Sequence, residues 1–217
     1  MSDTATASPT LSFQLAGSWN RIDLSTDDAM TAAIREYVAL RVGTADADAQ
    51  ARRLLRARLT EALGKASAAG AVSALIASEI TPGIPMPVML TIYSPRTLRM
   101  TPAVGTGPEA VSGMLRSALT QLGIDGMERA ASLSIAGSEI LRVVREQVDA
   151  VHPDAPGHDL TTLLVDYWYT VPGSKQVVLA NFATPLSDIR EVMLSFFDAT
   201  VRASHFAAVH DDPRPGG

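Results

Sequence analysis

Histidine and aspartate side chains gather in one short stretch of the sequence. His152 and His158 lie in the segment 152–159 together with Asp154 and Asp159. Imidazole nitrogens and carboxylate oxygens are ligands that proteins offer to divalent metals. The proline and glycine residues between them equally suit an exposed strand connection, in which the polar residues serve only the turns. Because four ligands on one loop lose conformational entropy when they bind, we favour the turn and leave the metal site as the alternative.

The common signatures of catalysis are missing from the chain. It contains no cysteine, and it has no Gly-x-Ser-x-Gly pattern, the nucleophile elbow of α/β-hydrolases. Gly64-Lys65 lacks the upstream glycine of a phosphate-binding P-loop. A Ser–His–Asp set assembled from distant positions stays open, because such triads are defined by geometry. These observations favour a binding protein without a cofactor over an enzyme.

Two further polar features suggest ligands. Gly105 and Gly107 precede a predicted helix, whose free N–H groups can hold an anion, although they also suit an ordinary loop. Asp166 is flanked by aromatic residues in a predicted strand, where it shares one face with Trp168, opposite Tyr167. Asp166 is therefore either an acid in a pocket or a carboxylate that is hydrogen-bonded or exposed.

Three arginines form the most distinctive surface pattern. Arg52, Arg53 and Arg56 gather on one face of a predicted helix, and guanidinium groups fit carboxylate and phosphate partners. They are our candidate residues for binding an acidic segment of a partner protein. The alternative is a solvated helix face that Asp48 partly neutralises. Nucleic acid is not expected as a partner, because the net charge is −5 and only 5% of residues are aromatic.

Apolar side chains at helical spacing predict four helices. The first spans 26–42, with Ser25 as its N-cap and Asp28 completing a capping box. The second spans 46–69 and places Leu54 on its buried side. The third begins at Pro108, a residue that suits the first turn of a helix, and Ser187 caps the fourth.

Alternating and β-branched segments predict the strands. They lie at 11–15, 19–24, 72–80 and 87–93, followed by a four-stranded meander between 127 and 184. Short turns join many of these strands, so the sheet should be mostly antiparallel. The sequence therefore predicts an α+β protein, with a sheet of about six to eight strands and four helices in layers on both faces.

The length and composition suit one domain. The chain has 217 residues, of which 47% are hydrophobic, enough to form a core without disulfides. Residues 1–10 and 207–217 lack hydrophobic periodicity, so we expect mobile tails around a single domain at 11–206. No apolar run reaches the roughly 18–20 residues of a membrane span, and the first ten residues lack the apolar stretch of a secretory signal. We therefore expect a cytoplasmic protein.

Both ends of the predicted domain carry a family resemblance. Residues 175–185 (KQVVLANFATP), followed by 196–202 (FFDATVR), resemble the end of PsbP-like proteins, a superfamily with a photosystem extrinsic subunit and a Ran-binding import factor. Residues 13–22 (FQLAGSWNRI) are similar to the start of small actinobacterial proteins of unknown role, some encoded near type VII secretion genes. The resemblance implies a binding or accessory role, and it transfers no functional residue.

The function expected from the sequence is that of a non-enzymatic accessory domain that binds another protein. The alternative is a small-molecule-binding protein, or a weak hydrolase, with its pocket between the sheet and the helices. A self-associating structural subunit is a third interpretation.

Overall fold

A computed structural model of the chain describes residues 10–81, 84–95, 105–135, 137–149 and 160–207. Ten strands lie in these ranges: β1 (Thr10–Ser12), β2 (Ser18–Asp23), β3 (Ala71–Thr81), β4 (Ile84–Pro85), β5 (Met89–Tyr93), β6 (Ala131–Ile135), β7 (Ser138–Asp149), β8 (Leu160–Thr170), β9 (Val177–Thr184) and β10 (His205–Ala207). The same ranges contain four α-helices: α1 (Asp27–Val42), α2 (Ala49–Ala68), α3 (Pro108–Gln121) and α4 (Arg190–Arg202).

An antiparallel sheet of eight strands organises the molecule. Its strand order is β2-β3-β5-β9-β8-β7-β6, and the short β4 pairs with β3. The predicted meander is confirmed, because β6, β7, β8 and β9 are neighbours in sequence order. The predicted α+β class is also confirmed, with its mostly antiparallel sheet and four helices.

A second, two-stranded sheet joins residues that are far apart in the sequence. β1 pairs antiparallel with β10, so that Thr10 lies opposite Ala207. The sequence gives no periodic signal for a strand as short as β10. The division into tails and a domain remains a prediction, since most residues of both proposed tails lie outside the described ranges.

One face of the sheet carries an aromatic core beneath α4. Phe182 of β9 stacks on Phe197 of α4 with ring centroids 4.6 Å apart, and it meets Tyr167 edge-on at 5.6 Å. The Tyr167 hydroxyl donates a hydrogen bond of 2.6 Å to Asp198 of α4, and Arg142 of β7 forms an ion pair with the same carboxylate. Stacking and charge-assisted hydrogen bonding together fix α4 on this face.

The opposite face is covered in two separate places. α1 and α2 pack over β2 and β3, where Ile34, Leu63 and Ala74 belong to one apolar cluster. α3 packs over β7, where Leu115 and Val143 belong to another. The predicted helix layers on both faces are therefore present, and the helix pair and α3 leave the central strands between their two clusters.

Helix boundaries differ from the predictions in their caps. The N-cap of α1 is Thr26, whose hydroxyl accepts a hydrogen bond from the backbone of Ala29. The backbone N–H of Ser25, the predicted cap, instead donates to the carboxylate of Asp23. Ser187 begins a 3₁₀ turn, and α4 itself starts at Arg190. Adjacent hydroxyl residues offer equivalent caps, so local sequence does not separate them.

The predicted buried side of α2 is wrong at three positions, since Ala51, Leu54 and Ala62 are exposed. Leu54 is 51% exposed, whereas Leu63, one turn from the end of the helix, is fully buried. Leu55 and Leu59 pack against the same cluster but are only partly buried, so α2 is fully buried only towards its C-terminal end, where the chain turns into β3. Its N-terminal half therefore presents an apolar side chain to solvent.

Burial makes the tyrosines a probe of folding at high pH. Tyr37, Tyr93, Tyr167 and Tyr169, the four tyrosines of the chain, all have pKa values raised above 10.0, chiefly because burial disfavours the phenolate. The Asp198 carboxylate raises the pKa of Tyr167 further. A group whose pKa is raised by folding stabilises the native state in full at pH values below its pKa in the unfolded chain. This contribution to stability is lost as the pH rises from that value through the pKa of the folded state.

We therefore expect tyrosinate absorbance to rise at higher pH than that of the free amino acid, and the deeply buried Tyr167 and Tyr169 to ionise only when the circular dichroism of the native fold disappears. The measurement is a paired absorbance and circular dichroism titration. Gradual ionisation centred at pH 10 with the fold intact would contradict the burial of the tyrosines. The free amino acid, titrated in parallel, gives the unperturbed curve.

Candidate functional site

A row of polar side chains crosses the middle of the helix-covered face. Thr91 of β5 is paired directly with Asn181 of β9, which is paired in turn with Asp166 of β8. Ala74 continues the row under the helix pair, and Val143 continues it under α3. Directly paired residues place their side chains on the same face. The row is therefore apolar beneath both helix clusters and polar in the gap between them.

The charge at the centre of this row is paired. The side chain of Asp166 is only 5% exposed, and it accepts a hydrogen bond of 2.5 Å from Arg145 Nη2. The amide Nδ2 of Asn181 donates to its other carboxylate oxygen at 2.6 Å. A buried carboxylate requires such partners, because water no longer solvates it. Asp166 thus meets both descriptions that the sequence left open, being hydrogen-bonded and part of a pocket wall.

A cleft of about 350 Å³ opens above these residues. One row of its floor is formed by Tyr93, Leu179 and Trp168, which are paired across β5, β9 and β8. The residues that line it are Tyr93, Ile124, Arg145, Gln147, Leu164, Asp166, Trp168, Leu179 and Asn181. Polar groups thus lie at its centre and apolar side chains around them, as in sites that bind small molecules.

Several polar atoms of the cleft remain free to contact a ligand. Arg145 is one-third exposed, and its guanidinium has five N–H donors, of which those on Nη1 make no hydrogen bond within the described ranges. The carbonyl oxygen of the Asn181 amide is an acceptor. Burial raises the pKa of the Tyr93 hydroxyl, as does the nearby charge of Asp166, so this group remains a neutral donor and acceptor at neutral pH.

Two donors near the cleft are buried without a hydrogen-bond partner among the described residues. They are Nε1 of Trp168 and Nε of Arg145. An orphaned buried donor costs about 1–3 kcal/mol, and native structures contain few of them. Nε of Arg142 and Nε of Arg190 are buried in the same way, so such donors are not confined to the cleft.

A larger cavity of about 620 Å³ adjoins the cleft and shares Ile124 and Arg145 with it. It lies just before the start of β6, where residues 123–129 run beside β7. Gly126 makes this approach possible, because a Cβ there would lie 2.4 Å from the carbonyl oxygen of Val144, and its φ of +84° favours glycine. The short segment thus holds Ile124 at the side of the cleft.

Most of the charged groups that line the larger cavity, Asp125 excepted, form ion pairs. Arg129 pairs with Glu128 and Arg190 pairs with Glu146, each at 3.0 Å. These pairs are substantially exposed, so each contributes little. We therefore place the candidate site in the cleft, where the charged pair is largely buried, rather than in the larger cavity.

The three arginines singled out in the sequence are not equivalent. Nη1 of Arg52 donates hydrogen bonds to the carbonyl oxygens of Gly43 and Ala45, at 3.2 and 2.6 Å, and so holds the connection between α1 and α2. Arg53 and Arg56 are exposed. A role for this group in partner binding remains a prediction, and Arg52 has a structural role in addition.

The other sequence hypotheses have different outcomes. His152, His158 and their neighbouring aspartates lie outside the described residues, so the metal hypothesis remains a prediction. Elsewhere, the described ranges contain no group of three or more His, Asp or Glu residues placed to hold a metal ion. Gly107 precedes Pro108 at the start of α3, and its backbone carbonyl begins the helix.

Sequence reasoning found Asp166 but missed the residues around it. Asn181 interrupts the largely apolar segment 177–184, and Arg145 follows the apolar residues Leu141 and Val143 on one face of the segment 140–148. A polar residue on the inner face of a strand is the signal that would have identified them. Their meeting with Asp166 depends on strand register, which the sequence does not state.

None of the helices in the described ranges is long and apolar enough to span a membrane. Comparison with protein-family models, with curated proteins and with solved structures finds no significant match to this chain. The resemblance to PsbP-like proteins therefore remains a prediction, and the functional argument depends on the geometry of the site.

Replacing Asp166 tests how strongly the pair in the cleft contributes to stability. We expect Asp166→Ala to lower the free energy of unfolding by about 2–3 kcal/mol, since it leaves the charge of Arg145 and the amide of Asn181 without their acceptor. The measurement is urea unfolding at neutral pH. Glu61→Ala is the matched control, because it breaks an ion pair with Lys65 in which both side chains are more than half exposed. Equal effects of the two substitutions would contradict the buried character of the Asp166 site.

Proposed function

We propose that this protein binds a small, neutral, polar molecule in the cleft above Asp166. The observation that supports this most directly is the polar row Thr91–Asn181–Asp166, which occupies the sheet face between the two helix clusters. Stability alone favours apolar residues at such positions. Polar residues beside an open cleft suit recognition of a ligand.

The charge of the cleft favours a ligand without net charge. The carboxylate of Asp166 and the guanidinium of Arg145 compensate each other across 2.5 Å. An added anion or cation would have to compete with this pair. A molecule that both donates and accepts hydrogen bonds, in contrast, meets donors on Arg145 and an acceptor on Asn181 without disturbing it.

The walls of the cleft favour a compact ring. Leu164, Leu179 and Ile124 are apolar, and the indole of Trp168 offers a flat surface. Aromatic faces bind the apolar side of a ring while polar groups at its edge find hydrogen bonds. A volume of about 350 Å³ lies near the lower limit of ligand pockets. A single sugar ring or a nucleobase meets these requirements of size and polarity.

The two oxygens of Asp166 have different partners, and this suits a structural role in binding. Oδ1 accepts from Asn181 and Oδ2 accepts from Arg145. Each bond orients a group that lines the cleft. Asp166 therefore positions the contacting residues, in the way that supporting hydrogen bonds preorganise binding sites.

Ligand-observed NMR with a panel of neutral monosaccharides and nucleobases tests this function. We expect at least one compound of the panel to bind the wild-type protein. Asn181→Leu, which removes the free acceptor, should weaken that binding about tenfold, in proportion to the loss of one buried hydrogen bond. Leu179→Trp should abolish it by filling the cleft.

Arg190→Gln is the matched control, because Arg190 lines the adjoining larger cavity and not the cleft. The affinity of the Arg190→Gln variant for the compound should equal that of the wild-type protein. Two results would refute the proposal: that no compound of the panel binds, or that the bound compound is insensitive to Asn181→Leu and sensitive to Arg190→Gln.

A second function, docking of an acidic partner protein on α2, is favoured by a separate observation. Leu54 is 51% exposed and lies between Arg53 and Arg56 in the sequence of the helix, while Leu40 of α1 is 71% exposed. Exposed leucines beside unburied guanidinium groups suit a partner segment with apolar and acidic side chains. This retains the protein-binding function expected from the sequence, and it assigns the docking role to Arg53 and Arg56.

Charge reversal that spares Arg52 tests the docking function. We expect Arg53→Glu with Arg56→Glu to abolish recovery of a host protein that the wild-type chain captures, because like charges then face the acidic partner. Quantitative mass spectrometry of matched pull-downs measures this. The double variant Arg35→Glu with Arg202→Glu changes the net charge equally at exposed positions on α1 and α4 and should leave recovery unchanged. Equal recovery by both double variants would exclude α2 as the docking surface.

A further inference from the structure

We propose a second ligand site on the opposite face of the sheet, a pocket under residues 10–15 that takes a hydrocarbon chain ending in a carboxylate, with Arg21 as the partner of the carboxylate. This site is independent of the cleft above Asp166. It follows from three observations: an apolar floor and roof, a roof that is fixed in place, and one cation that forms no ion pair within the described ranges.

The enclosure is a pocket of about 360 Å³. Its floor is formed by Leu75, Ile92 and Val178, which come from β3, β5 and β9. Its roof is the segment that carries Leu11, Phe13 and Leu15. All six of these side chains are apolar, so the floor and the roof offer contacts to hydrocarbon. The polar residues that complete the lining are Thr10, Ser12, Arg21, Ser73 and Ser94.

The roof is fixed at both of its ends. On one side β1 pairs with β10. On the other, Gly17 lies so close to β3 that a Cβ would be 2.1 Å from the carbonyl oxygen of Glu79. Between them, Phe13 packs edge-on against Tyr169 at 6.3 Å and against Phe182 at 6.4 Å. A roof anchored in the aromatic core cannot collapse onto the floor, and apolar cavities that persist bind apolar molecules.

The polar end of the pocket carries a single positive charge. Arg21 is the one charged residue among the described residues that line it. Arg21 is exposed, and within the described ranges it makes no hydrogen bond or ion pair. Its charge contributes to the lowered pKa of Asp23, two residues along β2, but the main cause of that lowering is the hydrogen bond that Asp23 accepts from Ser25. The guanidinium fork matches the two oxygens of a carboxylate. Ser73 and Ser94 add hydroxyl groups to the lining.

The size of the pocket limits the length of the hydrocarbon chain that it can hold. At roughly 30 Å³ for each small group, the share of one molecule in liquid water, its volume holds on the order of ten non-hydrogen atoms. Octanoate has this size, and it joins an apolar chain to a monoanionic head. Octanol and octylammonium have the same chain with a neutral or a cationic head, so the three compounds separate the contribution of the charge from that of the chain.

Isothermal titration calorimetry with these three compounds tests the site. We expect octanoate to bind more tightly than octanol, and octylammonium to bind least. Arg21→Gln should weaken octanoate about tenfold while leaving octanol unchanged, because it removes only the charged contact. Arg35→Gln, which removes an exposed arginine on α1, is the matched control and should change neither.

Two further variants show where the hydrocarbon chain of octanoate binds. Val72 lines the pocket and is 47% exposed, so Val72→Trp should block the entrance without disturbing the core and abolish binding of octanoate and octanol alike. Asn181→Leu alters the cleft on the other face and should leave octanoate binding intact.

The proposal is overturned if octanoate fails to bind or binds no more tightly than octylammonium. It is also overturned if Arg21→Gln has no effect, or if octanoate binding is lost in Asn181→Leu and kept in Val72→Trp. The last result would assign the carboxylate to the cleft above Asp166. That result would also contradict the preference for a neutral ligand proposed for the cleft, whereas the other outcomes concern only the pocket under residues 10–15.

Discussion

A carboxylate in the interior of a β-sheet needs partners at both of its oxygens, and the arrangement around Asp166 meets this need. Arg145 reaches it diagonally from β7, and Asn181 reaches it from the directly paired position on β9. Both contacts require the register in which β7, β8 and β9 lie in the structure. A slip by one residue would turn every side chain of a strand to the other face and leave the charge unpaired. The pair therefore selects one alignment of three central strands, and the two helix clusters pack on the surface which that alignment creates.

The two faces of the sheet are stabilised by different means. The face under α4 is closed by aromatic rings and by the hydrogen bond from Tyr167 to Asp198. The other face has two apolar clusters with polar residues between them. A continuous helix layer over that face would bury the row of Asp166 without access to solvent, at a further cost in desolvation. Separation of the helix pair from α3 thus accommodates the polar row and leaves room for a ligand.

Local patterns in the sequence account for the elements, and long-range pairing accounts for the site. The spacing of Met30, Ile34 and Val38 predicts α1 to within one residue of its observed start, because a helix is defined by contacts three and four residues apart. The predicted N-cap differs by one residue since Ser25 and Thr26 carry the same chemical group. The strands of the meander are also predicted, from their alternation and their turns.

The candidate site could not be predicted from local patterns in the same way. Asp166 is recognisable as an acid among aromatic residues, yet Tyr93 lies 73 positions before it along the chain. Only the strand order β5-β9-β8 brings the two together. Nothing in either local segment encodes that order, which follows from the packing of the whole sheet. The exposure of Leu54 has a similar cause, because the angle at which α2 leaves α1 is a tertiary property.

Pairing of β1 with β10 has a consequence for how the chain folds. The contact between Thr10 and Ala207 spans almost the whole sequence, and contacts of such long separation form late. On the ribosome β1 has no partner until β10 emerges. Meanwhile Phe13 and its neighbours have no completed aromatic core to join. Final closure of that side of the molecule must therefore follow synthesis of its C-terminal strand, whatever the order in which the other elements form.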